Sequence, residues 1–278
     1  MNSHPFSQVD VFAKDAYRGN PVAVVHDADA LTTDEMHCFA RWTNLSETTF
    51  LLKPRSDEAD YRLRIFTPGG ELPFAGHPTL GSCHAWLEAG GQSASAAFVV
   101  QECEAGLVRV RRGSEGLAFA APPVHRSGPL DSAFVSRLMA ALHLPPEALV
   151  AHQWVDNGPG WCALQLDSAR RVLDVVPDMA ALGDACLGLV GAYPPGSACD
   201  FEVRAFVPSL GVPEDPVTGS LNASIAQWLI REGRAPDCYL ASQGTVIERA
   251  GQIRVSKEQD TVWIGGETRT CITGTAAF

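Results

Sequence analysis

Two apolar stripes at helical spacing organise the chain. Leu80, Cys83, His84 and Leu87 fall at i, i+3, i+4 and i+7, and Leu221, Ile225, Trp228 and Leu229 at i, i+4, i+7 and i+8. Each stripe follows a strand-like segment and a tight loop, and each predicts a helix. Pro78 suits the first turn of the first helix, Thr218 or Ser220 can cap the second and Gly233 can end it, and both helices run out where glycine makes a left-handed residue cheap. Both segments carry little charge around their circumference, which for so short a helix predicts enclosure by sheet.

Around these helices, runs of apolar and alternating residues predict strands. Residues 8–12 and 21–25 read as two strands joined by a polar turn. Thr32 and Glu35 form a capping box ahead of a helix ending near Thr43, and residues 44–47 turn into a strand over 48–52. Residues 97–102, 107–111 and 117–119 suggest a meander. Pro122-Pro123 and a polar turn at 126–128 mark a linker. A second-half helix carries Phe134, Leu138, Ala141 and Leu142, and strands follow at 149–155 and 161–166. Beyond Gly233, short strands are expected at 239–242, 246–248, 253–255, 262–264 and 270–274.

The two stretches 64–91 and 204–233 are related. Both contain Arg-x-Phe-x-Pro, Arg204 lies 140 residues after Arg64, and Pro73 and Pro213 keep that offset. This predicts a duplicated domain: residues 1–122 plus about 267–278 as one half, with Glu47 and His77, and residues 123–266 as the other, with Asp215. If the halves face one another, both helix N-termini address one small anionic ligand in the cleft between them, since such ends present unpaired N–H groups and partial positive charge. Extending the offset pairs Ala75 with Asp215.

Composition narrows the function. At 278 residues, 46% hydrophobic and 19% charged, the chain is long enough for two cores, and a net charge of −11 with no basic run argues against nucleic acid. The N-terminus lacks a signal-peptide pattern and no run is long and apolar enough for a membrane helix, so a cytoplasmic location is expected. The eight cysteines show no C-x-x-C pair and read mainly as small core residues. Neither phosphate-binding glycine motif is present, no G-x-S-x-G frames a serine, and no His/Cys spacing suggests a metal. A cofactor-free proton transfer is the leading chemistry, with Glu47, His77 and Asp215 as candidates. Taken singly, Glu47 reads first as a solvated turn residue, His77 as a capping or packing histidine, and Asp215 as a turn residue before proline. His84, on the apolar stripe, reads as structural.

These motifs carry a resemblance. Arg18-Gly19-Asn20-Pro21, Asn44-Leu45-Ser46-Glu47-Thr48, Arg64-Ile65-Phe66-Thr67-Pro68, the stretch from Glu71 to Pro78, and Glu214 to Ser220 together are similar to the motif set of the PhzF family, the phenazine-biosynthesis-like proteins. The resemblance implies an α+β, diaminopimelate-epimerase-like fold of two pseudo-symmetric halves, each a barrel-like, mostly antiparallel sheet around a central helix. It also implies a homodimer and an isomerase that moves a proton on a trans-2,3-dihydro-3-hydroxyanthranilate-like amino-carboxylate, without metal or organic cofactor. Glu47 matches the general acid/base, His77 and Asp215 match residues that hold the substrate, and Gly76, Gly219 and Ser220 line the same cleft. Related racemases and epimerases use a cysteine at the head of each central helix, which neither Ala75 nor Asp215 supplies. A non-catalytic PhzF-like protein is the third expectation. Loops at 156–161 and 209–214 are expected to select the substrate.

Overall fold

The computed structural model describes residues 2–208 and 212–278; part of the second expected substrate-selecting loop, 209–211, therefore lies outside the described residues. The chain divides into two compact units, residues 1–120 with 265–278, and residues 121–264.

Unit 1 runs β1 (Ser3–Val11), β2 (Asn20–Val25), α1 (Thr33–Thr43), β3 (Glu47–Leu52), β4 (Tyr61–Thr67), β5 (Gly70–Leu72), α2 (Gly76–Glu88), β6 (Phe98–Cys103), β7 (Gly106–Gly113) and β8 (Gly116–Ala120). Unit 2 runs β9 (Arg126–Gly128), α3 (Ser132–Ala141), β10 (Leu149–Asp156), β11 (Trp161–Leu166), α4 (Ala169–Asp174), α5 (Met179–Leu182), β12 (Cys186–Ala192), β13 (Phe201–Val207), β14 (Val212–Asp215), α6 (Gly219–Arg231), β15 (Cys238–Gln243) and β16 (Gly251–Glu258). After β17 (Thr261–Gly266), the final strand β18 (Thr268–Ala277) pairs antiparallel with β1 in unit 1.

The units repeat one strand plan. In unit 1, β1–β2 and β3–β4 are antiparallel, β2–β3 is parallel, β5 folds back on β4, and β4–β6 is parallel. In unit 2, β10–β11, β11–β12, β12–β13, β13–β14 and β13–β15 reproduce that sequence of orientations. The fold is mixed α/β with mostly antiparallel strands. Register matches as well: Ile65 faces Leu72 as Ala205 faces Asp215, and Phe66 faces Glu71 as Phe206 faces Glu214.

That register corrects the offset of 140. α2 and α6 are both 13 residues long, and Gly219 follows Gly76 by 143 positions. The three extra residues fall between Phe206 and Glu214, so Ala75 matches Thr218, and Asp215 matches Leu72.

Both central helices are enclosed. Nine of thirteen residues are buried in α2 and nine of thirteen in α6, as the lack of charge requires. Gly81 lets α2 approach the strands: a Cβ there would lie 2.4 Å from Val22 Cγ1. α1 starts with the expected capping box and covers the other side of the unit 1 sheet, burying Met36 and Ala40 against Val25, Phe50 and Phe66. In unit 2, α3, α4 and α5 cover Leu164, Leu187, Leu189 and Phe206.

Three expectations differ from the structure. Residues 126–128 are not only a turn: they pair with 154–156 as β9. Residues 246–248 are not a strand; Thr245–Ile247 is a 3-10 turn between Gly244 and Glu248, whose φ angles of 90° and 60° interrupt extended backbone. Finally, α4, α5 and β12 have no counterpart in the sequence reading. β12 is buried over almost its full length, so it lacks polar alternation, and Gly191 sits where a Cβ would meet Ser168 O at 2.3 Å.

Candidate active site

In unit 1, the strand starts and the start of the central helix meet at one edge. Asn20 opens β2, Glu47 opens the parallel neighbour β3, and Gly76-His77-Pro78 opens α2. The turn into Asn20 is held by buried Asp10, whose Oδ2 accepts from the backbone N–H of Arg18 at 2.8 Å and of Gly19 at 2.9 Å. Gly19 has no room for a side chain, since a Cβ would lie 2.1 Å from Val11 O.

His77 is packed into this edge with its side chain 5% exposed, and Glu47 beside it is 16% exposed. Their facing atoms, His77 Nε2 and Glu47 Oε2, are 3.4 Å apart, outside hydrogen-bond geometry. Burial lowers the His77 pKa to about 3, opposed by the Pro21 carbonyl, so the ring is neutral at ordinary pH. On its other side, His77 Nδ1 lies 3.4 Å from Asn20 Nδ2, and Ser46 Oγ donates to Asn20 Oδ1 at 3.3 Å. α2 has no side-chain cap: Ala75 is its N-cap and Pro78 has no N–H. The first-turn N–H groups are then suited to an anionic group.

Unit 2 builds the equivalent edge from amides and hydroxyls. Thr218 is the N-cap of α6, yet its hydroxyl does not cap the helix; it donates to Asp215 Oδ2 at 2.5 Å. Gln243 takes over the capping role, accepting from Thr218 N at 3.0 Å and from Asn222 Nδ2 at 2.7 Å, while its Nε2 donates to the Asp215 carbonyl and to Thr218 Oγ1. Ser220 Oγ accepts from the Trp161 indole at 3.0 Å, and Asn157 Nδ2 donates to Ser220 O. Hydrogen-bond donation thus runs in one direction, from the Gln243 amide through the Thr218 hydroxyl to the Asp215 carboxylate.

Of the residues expected from sequence, Glu47, Gly76 and His77 share the unit 1 edge, and Asp215, Gly219 and Ser220 share the unit 2 edge. The loop 156–161 reaches the latter through Asn157 and Trp161. Asn20, Ser46, Asp10, Asn222 and Gln243 were not read as site residues. Asn20 had a signal, a polar residue between glycine and proline at a strand start, whereas Gln243 lies 25 residues beyond Thr218 and only the fold brings it there. His84, expected to be structural, bonds to Thr268 and Thr270 and so pins α2 to β18. Cys83, two turns into α2, and Cys162 have thiols pushed up to about 12 by burial, which favours the neutral thiol at both. Among the described residues, no group of three or more His, Cys, Asp or Glu side chains is placed to hold a metal ion, and no helix is long and apolar enough to cross a membrane.

With this geometry in place, comparison with known proteins becomes specific. The family model described as phenazine biosynthesis-like protein, PhzC-PhzF, matches residues 9–278. The antisense-enhancing sequence 1 protein of Schizosaccharomyces pombe is 38% identical, over 99% of both chains. The trans-2,3-dihydro-3-hydroxyanthranilate isomerase of Pseudomonas aeruginosa is 34% identical, over 84% of this chain and 82% of its own. A crystal structure of a PhzF-family protein from Enterococcus faecalis superposes with a TM-score of 0.81 at 27% identity, covering all of both chains.

Proposed function

This chain belongs to the PhzC-PhzF family of phenazine biosynthesis-like proteins, and from that premise we propose that it is an isomerase moving a proton on a small cyclic amino-carboxylate. Glu47 is the general acid/base. His77 holds the substrate beside it, and Asp215, Gly76, Gly219 and Ser220 complete substrate binding. The reaction needs neither metal nor organic cofactor.

One observation carries this reading: the half-buried Glu47 carboxylate lies 3.4 Å from a neutral, buried His77 at the uncapped start of α2. A carboxylate so placed accepts a proton without competition from bulk water, and a neutral imidazole can donate one hydrogen bond without carrying charge into the site. The helix end favours the substrate carboxylate. Asp215, an acidic group held by Thr218, suits the amine.

The test is turnover of trans-2,3-dihydro-3-hydroxyanthranilate in deuterated water. Deuterium delivered to the ring by the native chain, and lost in Glu47→Gln, supports the assignment. Turnover in Glu47→Gln near the native level overturns it. Exchange confined to the α-proton of an amino acid would instead identify an epimerase, although no thiol stands at either helix head: those positions are Ala75 and Thr218. The Schizosaccharomyces pombe relative bears a name that states no chemistry, which motivates a second reading as a non-catalytic protein. Absence of turnover together with absence of thermal stabilisation by any amino-carboxylate would favour that second reading.

A further inference from the structure

Asn20 belongs to the Arg-Gly-Asn-Pro segment, is fully buried, and so far has no part in the chemistry. Its side-chain amide nitrogen lies 3.4 Å from His77 Nδ1, and its carbonyl oxygen accepts from Ser46 Oγ at 3.3 Å. An amide nitrogen can only donate, so this contact is a hydrogen bond only when Nδ1 carries a lone pair. The proton of the neutral ring is then on Nε2, the nitrogen that faces Glu47 Oε2.

We infer that Asn20 is a positioning residue: its amide N–H donates to His77 Nδ1 and thereby sets the tautomer that turns an N–H toward the Glu47 carboxylate. The inference rests on the reading of Glu47 and His77 as the working pair, although the tautomer itself is independent of any substrate. In the alternative tautomer, two lone pairs would face each other across 3.4 Å unless Glu47 took up a proton. Asn20 therefore selects the arrangement in which the imidazole turns an N–H, rather than a lone pair, toward Glu47. Ser46 Oγ meets the other end of the amide, the carbonyl oxygen. Asp10 fixes the turn that delivers Asn20 to that place.

The tautomer can be read directly from two-bond proton–nitrogen correlations of the full chain labelled with ring-¹⁵N histidine, near neutral pH and without substrate. His77→Gln identifies the signal among the eight histidines. The expected result is protonated Nε2 and unprotonated Nδ1 in the native chain, with a shift toward protonated Nδ1 in Asn20→Leu. Protonated Nδ1 in the native chain overturns the inference, as does an unchanged tautomer in a folded Asn20→Leu chain. Should the leucine variant not fold, the native spectrum alone decides. Because no turnover is measured, failure of the proposed isomerase activity and failure of this inference remain separate outcomes.

Discussion

At the edge where α2 begins, unit 1 presents Leu72, Glu47 and His77; the matching register positions where α6 begins hold Asp215, Cys186 and Ser220. The scaffold beneath is shared down to individual atoms. Arg64 grips Glu71 through Nε and Nη2 at 2.7 and 2.6 Å, and Arg204 grips Glu214 through the same atoms at 2.9 and 2.7 Å. Val22, which packs where Gly81 leaves room, is matched by Trp161, which reaches Ser220 instead. The comparison teaches that register and helix length persist between the units, while the side chains at the helix starts differ. Unit 1 carries a titratable pair, and unit 2 an acid tied into an amide and hydroxyl network.

The sharpest way to break this contrast is to exchange the chemistry and spare the frame. Glu47→Gln is expected to lower turnover by about 10²–10⁴-fold, whereas Cys186→Ser at the matching position leaves it unchanged; equal effects in steady-state assays would erase the distinction. Next in size is the fork. Arg204 and Glu214 are 3% and 8% exposed, against 16% and 27% for Arg64 and Glu71. Glu214→Gln should cost about 3–5 kcal/mol because it strands a buried guanidinium, and Glu71→Gln about 1 kcal/mol, both read by urea denaturation.

A third test uses pH. The His77 pKa of about 3 lies below its ordinary 6.5, so the folded state favours the neutral ring. Stability is therefore complete above the ordinary value and falls as pH drops from there toward 3, by up to about 1.4 kcal/mol per pH unit from this group. His77→Gln should flatten that part of the denaturation profile, and Ser220→Ala, at the matching position, should not. The smallest effect is expected from packing: Gly81→Ala meets Val22 and should cost about 1–3 kcal/mol, offset in part by about 1 kcal/mol of helix propensity, seen as a modest loss in melting temperature. Its counterpart, Ser224, already carries a side chain, so Ser224→Ala should change little beyond the hydrogen bonds its hydroxyl makes to Ser220 and Leu221.

Much of this architecture was legible in the chain. The helical stripes of α2 and α6 were readable because both are apolar and bounded by proline or glycine, and the Thr32 capping box located α1 to the residue. The duplication was visible in Arg-x-Phe-x-Pro, but its alignment drifted by three residues because the chain takes eight positions from Phe206 to its partner Glu214 and five from Phe66 to its partner Glu71, a difference set by strand register. Glu47, His77 and Asp215 were candidates by motif alone.

What the sequence by itself determined was the local plan: periodicity and capping are properties of neighbouring residues, and they do not depend on what the chain later packs against. What only the tertiary structure decided was partnership. The Gln243 amide capping α6 from 25 positions away, the Asn20 contact with His77 across 57, and the buried setting that neutralises His77 all arise when strands distant in sequence fall into register. Such bonds and burial are long-range quantities, and no window of residues contains them.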